Sequence, residues 1–219
     1  MNVLISGFTG AGKTGVATAL ASALGWTFVS GAQVRQDAYQ LHLQGTSSDF
    51  WRFSEDSAEL DLKRIVAPND DKAIDRRLAE MIAASSHCVF DVWFVPWLLG
   101  PSTSIKVWLD VPFELRVSRL ASSSHRSPVQ VRQAIGEKDG RAISYAGVAY
   151  DVEMRTDRTP FDIVVDAGSY SISEITSTLS SIVKFTSRVP ADDSRSGATL
   201  ALPSGFSISS SFAVRLRHV

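Results

Sequence analysis

Short apolar runs alternate with longer amphipathic stretches along most of the chain. Asn2-Val3-Leu4-Ile5-Ser6 is apolar and bounded by Gly7, the pattern of a buried strand. Val16, Leu20 and Leu24 then recur at helical spacing, and Gly25 supplies a stop. Trp26-Thr27-Phe28-Val29 predicts a second strand, and Ser30-Gly31 opens a helix to about Leu43. Residues 45–49 read as a polar loop and 50–67 as short helices. Asp70-Asp71 caps a helix with Ile74, Leu78, Met81 and Ile82 on one face. Val89-Phe90-Asp91-Val92-Trp93 predicts a third strand and Ile105-Lys106-Val107-Trp108-Leu109 a fourth. A helix with Pro112 near its first turn follows, running to about Leu120. Next come a loop at 122–128, a short helix at 129–136 and a helical stretch at 137–150. Phe161-Asp162-Ile163-Val164-Val165-Asp166 predicts the fifth strand, and Ser173 caps a last helix with Ile175, Leu179, Ile182 and Val183.

This order predicts an α/β fold, a five-stranded parallel sheet flanked by helices. Ligands of such sheets bind beyond the carboxyl ends of the strands. Two connections, 30–86 and 110–160, are too long for plain crossovers and predict inserted subdomains within a domain spanning 1–185. From about Thr186 the chain becomes small, polar and serine-rich, as in Asp192-Asp193-Ser194-Arg195-Ser196-Gly197, which predicts a flexible tail over 186–219. Thr199-Leu200-Ala201-Leu202 and Phe212-Ala213-Val214 read as edge strands in the alternative.

Composition narrows the function classes. The 219 residues suffice for one domain with a real core. A net charge of −1 gives no global field toward nucleic acid or an anionic membrane, and neither is expected as a partner. Cys88 is the only cysteine, which excludes an intrachain disulfide, and its apolar neighbours make it a small core residue. The apolar stretch at 88–99 is too short to span a bilayer and contains Asp91 and Pro96. The N-terminus enters the first strand directly, without a secretory signal, so the expected location is cytoplasmic.

The candidate chemistry starts between the first strand and first helix. Gly7-Phe8-Thr9-Gly10-Ala11-Gly12-Lys13-Thr14 has the form G-x-x-x-x-G-K-[ST], the phosphate-binding P-loop. Its glycines let the backbone wrap closely and point N–H groups at an anion, and the helix N-terminus adds its dipole. Gly7, Thr9, Gly10, Ala11, Gly12, Lys13 and Thr14 are therefore the candidate ATP contacts, with Lys13 reaching the β- and γ-phosphates and the Thr14 hydroxyl a ligand for Mg2+. Asp91, in an apolar strand, is the candidate second acid at the metal, and reads equally as a strand-end carboxylate capping a turn. Arginines suited to phosphate lie in both inserts: Arg35, Arg52, Arg64, Arg76 and Arg77 in the first, and Arg116, Arg119, Arg126, Arg132 and Arg141 in the second. His42, His87, His125 and His218 show no metal-ligand spacing.

Several segments resemble the cytidylate kinases, in particular the compact archaeal-type branch of the nucleoside monophosphate kinases. The resemblance covers about residues 1–185. Besides the P-loop it rests on Val29-Ser30-Gly31-Ala32-Gln33-Val34-Arg35, on Asp71-Lys72-Ala73-Ile74-Asp75-Arg76-Arg77, and on the strand, proline and arginine-bearing helix from Trp108 to Arg119. It rests also on the charged stretch from Glu137 to Asp151 with its tyrosines, Tyr145 and Tyr150. The resemblance implies an ATP- and Mg2+-dependent kinase of CMP, dCMP or a modified pyrimidine monophosphate, with 30–86 as the acceptor subdomain and 110–160 as the lid. It implies that Arg35 and Arg76 or Arg77 hold the acceptor phosphate, that Arg119 lies near the adenine or the ATP phosphates, and that Arg141 arrives with the lid as an arginine finger.

The chain departs from that pattern after the third strand. The family's Gly-Arg is replaced by Val92-Trp93, followed by Phe94, Val95, Pro96 and Trp97. Trp93 and Trp97 there read either as stacking surfaces for a ring or as core. Ser144, Gly140 and Ala142 thin the charge of the lid stretch. Two other readings therefore stand beside the monophosphate kinase. One is a kinase of a small-molecule hydroxyl with Asp91 as general base, and the other a nucleotide-binding protein without efficient transfer.

Overall fold

The computed structural model describes residues 1–38, 65, 68–100, 104–124, 126–188 and 202–209. The expectations for Arg52, Arg64, His42, His125, His218, the loop at 45–49, the helices across 50–64 and the edge strands at 199–201 and 212–214 lie outside the described residues.

Strand β1 (Val3–Ser6) is buried along its whole length, which is why it reads as an unbroken apolar run. Helix α1 (Lys13–Leu24) follows the P-loop and ends where Gly25 takes the left-handed conformation, φ 67°. Strand β2 (Thr27–Ser30) and helix α2 (Gly31–Ala38) come next. Then follow α3 (Pro68–Ala84), β3 (Cys88–Asp91), the short α4 (Val95–Leu98) and β4 (Ile105–Asp110). The chain continues through α5 (Phe113–Ser124), α6 (Pro128–Tyr150), β5 (Ile163–Asp166), α7 (Ile172–Arg188) and β6 (Phe206–Ile208).

The sheet order is β2-β3-β1-β4-β5-β6. The first five strands are parallel, with Ile5 opposite Asp91 and Ser30 also opposite Asp91, so the carboxyl ends of β1, β2 and β3 converge. Helices α1 and α7 pack on one face over Val3, Ile5, Val107 and Val165, while Leu78 and Ile82 of α3 cover Leu4 and Phe90 on the other.

Four expectations are corrected. Among the described residues the sheet has six strands, because β6 pairs antiparallel with β5, Ile163 opposite Ile208 and Val165 opposite Phe206. Residues 202–209 of the expected flexible tail are thus packed: Phe206 and Ile208 cover the edge, and the Tyr170 ring meets Phe206 at 5.6 Å. The two helical pieces expected at 129–136 and 137–150 are one helix of 23 residues. It starts at a capping box of Ser127 and Gln130, and Gly136 and Gly140 do not break it because Val131, Ile135, Ala142 and Tyr145 are buried on its inner face. The last helix is capped by Ser171, paired with Glu174, rather than by Ser173.

Buried polar side chains fasten the loops that carry the site. Asn2 donates to Ile82 O and Ser85 O and accepts from the Cys88 N–H, joining β1 to the entry of β3. Lys106 donates to the carbonyls of Pro96, Leu99 and Gly100, closing the segment after α4 onto β4. Beneath it lies an aromatic block in which Trp97 meets Phe161 at 4.8 Å and Trp108 at 5.7 Å, edge to face. Trp97 also donates its indole N–H to Asp157 at 2.9 Å. Of the two readings of Trp97, the core reading is the correct one.

Candidate active site

The segment from Gly7 to Thr14 forms a tight loop between β1 and α1. Gly12 caps the helix at φ 92°, a conformation costly for any residue with a Cβ. Gly7, at φ 151°, lies so close to β4 that a Cβ would sit 2.7 Å from the Leu109 carbonyl oxygen. The loop is held from outside as well. Asp139 of α6 accepts from the Thr9 N–H at 3.1 Å, and Arg116 of α5 donates to the Thr9 carbonyl at 2.7 Å. Arg116 and Asp139 pair with each other at 2.6 Å, both nearly inaccessible to water. The guanidinium of Arg116 is further packed against the rings of Phe8, 5.4 Å away, and Phe113, 5.1 Å away. A buried ion pair thus grips both backbone groups of one P-loop residue.

At the mouth of the loop the Thr14 hydroxyl donates to Asp91 Oδ2 at 2.6 Å. Two hard oxygen donors from β3 and α1 meet there, the ligand type and number that suit Mg2+, which keeps waters and substrate phosphates in its remaining positions. Asp91 and Thr14 are thus the residues that could hold such an ion.

From this pair a cavity of about 280 Å3 extends across the carboxyl ends of β1, β2 and β3. Lys13, Arg35 and Lys138 are the cationic side chains lining it among the described residues, and Asp75 and Asp91 the carboxylates. Ile74, Leu78, Val92, Trp93, Phe94 and Val95 make up most of its far wall. Trp93 is fixed by its backbone, since Ser6 at the end of β1 donates to its carbonyl. Its ring lies 5.9 Å from the Lys13 ammonium and 5.6 Å from that of Lys138.

Across this wall α6 is tied to α3. Tyr145 and Tyr150 both donate to Asp75 Oδ2, at 2.6 and 2.8 Å. On the α2 side, Arg35 approaches Asp71 at 3.5 Å; because α3 already begins at Pro68, Asp71 lies inside the helix and is not the cap expected of it. The carboxyl of Asp157, under the aromatic wall, is resisted by burial. Hydrogen bonds from Thr159 and Trp97 and the charge of Arg158 outweigh that and hold it below the ordinary carboxylate range.

Comparison with known proteins adds an independent line. Residues 2–169 match the model of the cytidylate kinase-like family. The chain belongs to this family. A cytidylate kinase of Halobacterium salinarum is 30% identical over 177 residues, covering 76% of this chain and 86% of the relative. A cytidylate kinase of Saccharolobus islandicus is 23% identical over 192 residues, covering 87% and 94%. Among solved structures, shikimate kinase from Bacteroides thetaiotaomicron superposes with a TM-score of 0.54 at 14% identity, covering 84% of this chain and 98% of that one, a likeness of fold alone. The molecule is a phosphotransferase of the P-loop kinase fold. Among its described residues no helix is long and apolar enough to cross a membrane.

Within this family member, the structure brings some of the sequence candidates together and sets others apart. Thr9, Gly10, Gly12, Lys13, Thr14, Asp91, Arg35 and Trp93 share the cavity. Arg76 and Arg77 are exposed and do not line it, because the buried face of α3 passes through Asp71, Asp75 and Leu78 instead. Arg119 is exposed and donates to the carbonyls of Ala167 and Gly168, away from the cavity. Arg141 lies 3.6 Å from Glu137, one turn earlier on α6, and does not line the cavity either. Sequence reasoning missed Lys138, Asp139 and Asp75, and named Arg116 without a role. The signal for Asp75 was available in Ile74-Asp75-Arg76-Arg77, where the acid rather than the arginines falls on the apolar stripe.

Proposed function

We propose that the protein transfers the γ-phosphoryl group of ATP to a pyrimidine nucleoside monophosphate, CMP or dCMP or a modified relative. The observation that carries this reading is one cavity with phosphate-binding groups at both ends. Lys13 and the Thr14–Asp91 pair stand at the donor end, and Arg35, on a separate helix, at the acceptor end. The named activity of the archaeal relatives supports the same acceptor class.

The P-loop backbone and Lys13 bind the triphosphate and hold its terminal phosphorus toward the cavity. Mg2+ held by Thr14 and Asp91 would neutralise charge on the β- and γ-oxygens. Arg35 pairs with the acceptor's phosphate and lines up one of its oxygens with the phosphorus, so most of the acceleration comes from positioning and charge. Asp75 is an acceptor-only carboxylate in the wall. It suits the 4-amino group of cytosine and is mismatched to the carbonyl oxygen of uracil. Trp93 gives the base an aromatic face. In this reading α2 and α3 form the acceptor side and α5 and α6 the lid.

An ADP-release assay with ATP, Mg2+ and a panel of CMP, dCMP, UMP, AMP, GMP and the matching nucleosides tests the proposal. Turnover that depends on CMP or dCMP and exceeds that with UMP is expected. Turnover only with nucleosides or other hydroxyl compounds would instead establish the second reading, a hydroxyl kinase with Asp91 as base. The predominantly apolar and aromatic far wall, with Arg76 and Arg77 outside it, favours that alternative.

A further inference from the structure

We propose that Lys138, on helix α6, is the lid-borne cation that meets the transferring phosphoryl group, an inference that rests on ATP being the donor. Four observations converge on it. None of the arginines of α5 and α6 lines the cavity: Arg116 grips Thr9 and Asp139, Arg119 binds the Ala167 and Gly168 carbonyls, Arg132 pairs with Glu114, and Arg141 lies against Glu137. Lys138 of α6 does line it. It is 7% exposed, so its ammonium sits where the dielectric is low and an opposite charge is strongly favoured. Its ammonium and that of Lys13 are both within 6 Å of the Trp93 ring, at 5.6 and 5.9 Å, so two lysines from opposite sides of the fold face one small region.

The fourth observation concerns precision. The residue after Lys138 is Asp139, which accepts the Thr9 N–H of the P-loop at 3.1 Å. The register of α6 against the phosphate-binding loop is therefore fixed one residue away from the ammonium. A phosphoryl group held by the loop between Lys13 and the cavity is met by Lys138 without a large movement of the helix. An ordinary surface lysine has neither the burial nor that tether.

In the reaction the bond from the terminal phosphorus to the bridging oxygen breaks, and its electron pair leaves with ADP. The new bond forms from an oxygen of the acceptor phosphate. Lys138 stays protonated throughout and offsets negative charge on the three equatorial oxygens. Trp93 is its positioning platform.

The test compares full-length wild type, Lys138→Met and Lys138→Arg. Methionine keeps the length and the packing on Trp93 while removing the charge. We expect Lys138→Met to lower kcat about 100-fold, with the KM of ATP and of CMP each within about threefold. Lys138→Arg should recover at least about a tenth of the wild-type kcat, as a retained cation would. Melting temperatures within about 2 °C of wild type would exclude a folding defect. A kcat for Lys138→Met within about twofold of wild type overturns the proposal, as does a loss confined to the KM of CMP. A second arm is independent of the acceptor: the affinity for ADP with aluminium fluoride, a mimic of the transferring group. Lys138→Met should weaken that complex about 100-fold while leaving the affinity for ADP unchanged. Equal weakening of both, or of neither, overturns the role. If wild type transfers to no monophosphate, the acceptor reading fails, and this arm still decides the role of Lys138.

Discussion

At the donor end of the cavity one continuous segment, Gly7 to Thr14, supplies the loop, the lysine and the hydroxyl. On the proposed reading the acceptor end takes Arg35 from α2, Asp75 from α3 and Trp93 from the turn after β3, with Lys138 of α6 standing between the two ends. On that reading the donor end would work mainly through backbone N–H groups, so its geometry is set by a few glycines and a strand-to-helix turn. The acceptor end would work through side chains, which long-range ties among the described residues hold in place. These are the bonds of Tyr145 and Tyr150 to Asp75, the contact of Arg35 with Asp71, and the hold of Asp139 on Thr9. The contrast explains how the wall after β3 carries an aromatic ring where the resemblance leads one to expect an arginine, while the phosphate loop keeps its full motif. A local loop has few ways to change, whereas a surface assembled from four elements can exchange one contributor for another.

The largest effect should come from the donor end. Lys13→Met removes a fixed charge from the phosphates and should lower kcat about 1000-fold without lowering the melting temperature. Activity near wild type would show that the loop does not hold the triphosphate as described. Next comes the tie between the two ends. Asp139→Ala leaves Arg116 buried beside an unpaired Thr9 N–H, which should cost about 3–5 kcal/mol in urea unfolding. A cost near zero would mean that the ion pair is not what joins α6 to the loop.

A smaller, more selective effect separates the two ends. Arg35→Ala should raise the KM of the monophosphate about tenfold or more and leave that of ATP within about threefold. The same substitution at Arg76 or Arg77 should leave both constants within about twofold, because those side chains face solvent. Equal losses for both substrates at Arg35 would erase the distinction between the ends.

The smallest effect lies under the aromatic wall. Because the Asp157 carboxyl is held below its ordinary range in the folded protein, the stability it contributes is present above the unfolded-state value of about 3.9 and is lost as the pH falls through the folded-state value. Asp157→Asn should therefore cost about 1 kcal/mol at neutral pH and progressively less in strong acid. Thermal melts of both proteins from neutral to acidic pH check this, and a difference independent of pH would contradict it.

The same contrast governs what was legible in the sequence. The P-loop, β1 and the Gly25 stop are local patterns, and each lies where the spacing placed it. The alternation of strands and helices sufficed for the parallel sheet, since five apolar runs at these separations pack in few other ways. Strand β6 was not legible, because Phe206–Ile208 is short and becomes a strand only by pairing with the open edge of β5. Helix α6 was divided in the reading at Gly136, which looks like a break, and the buried face through Val131 and Ile135 overrides it. The site arginines were harder still. Arg116, Arg76 and Arg141 are the same residue type in similar helical stretches, yet one is buried in an ion pair, one is exposed and one lies along its own helix. Nothing local distinguishes them; only the partner elements do.

The most direct test of the whole account is phosphorus NMR of the full chain mixed with ATP, Mg2+ and CMP. The account predicts that the γ-phosphorus signal of ATP declines while the signals of ADP and CDP rise together, with no accompanying rise in inorganic phosphate. Release of inorganic phosphate alone, or an unchanged spectrum with ATP still bound, would contradict phosphoryl transfer to a pyrimidine monophosphate.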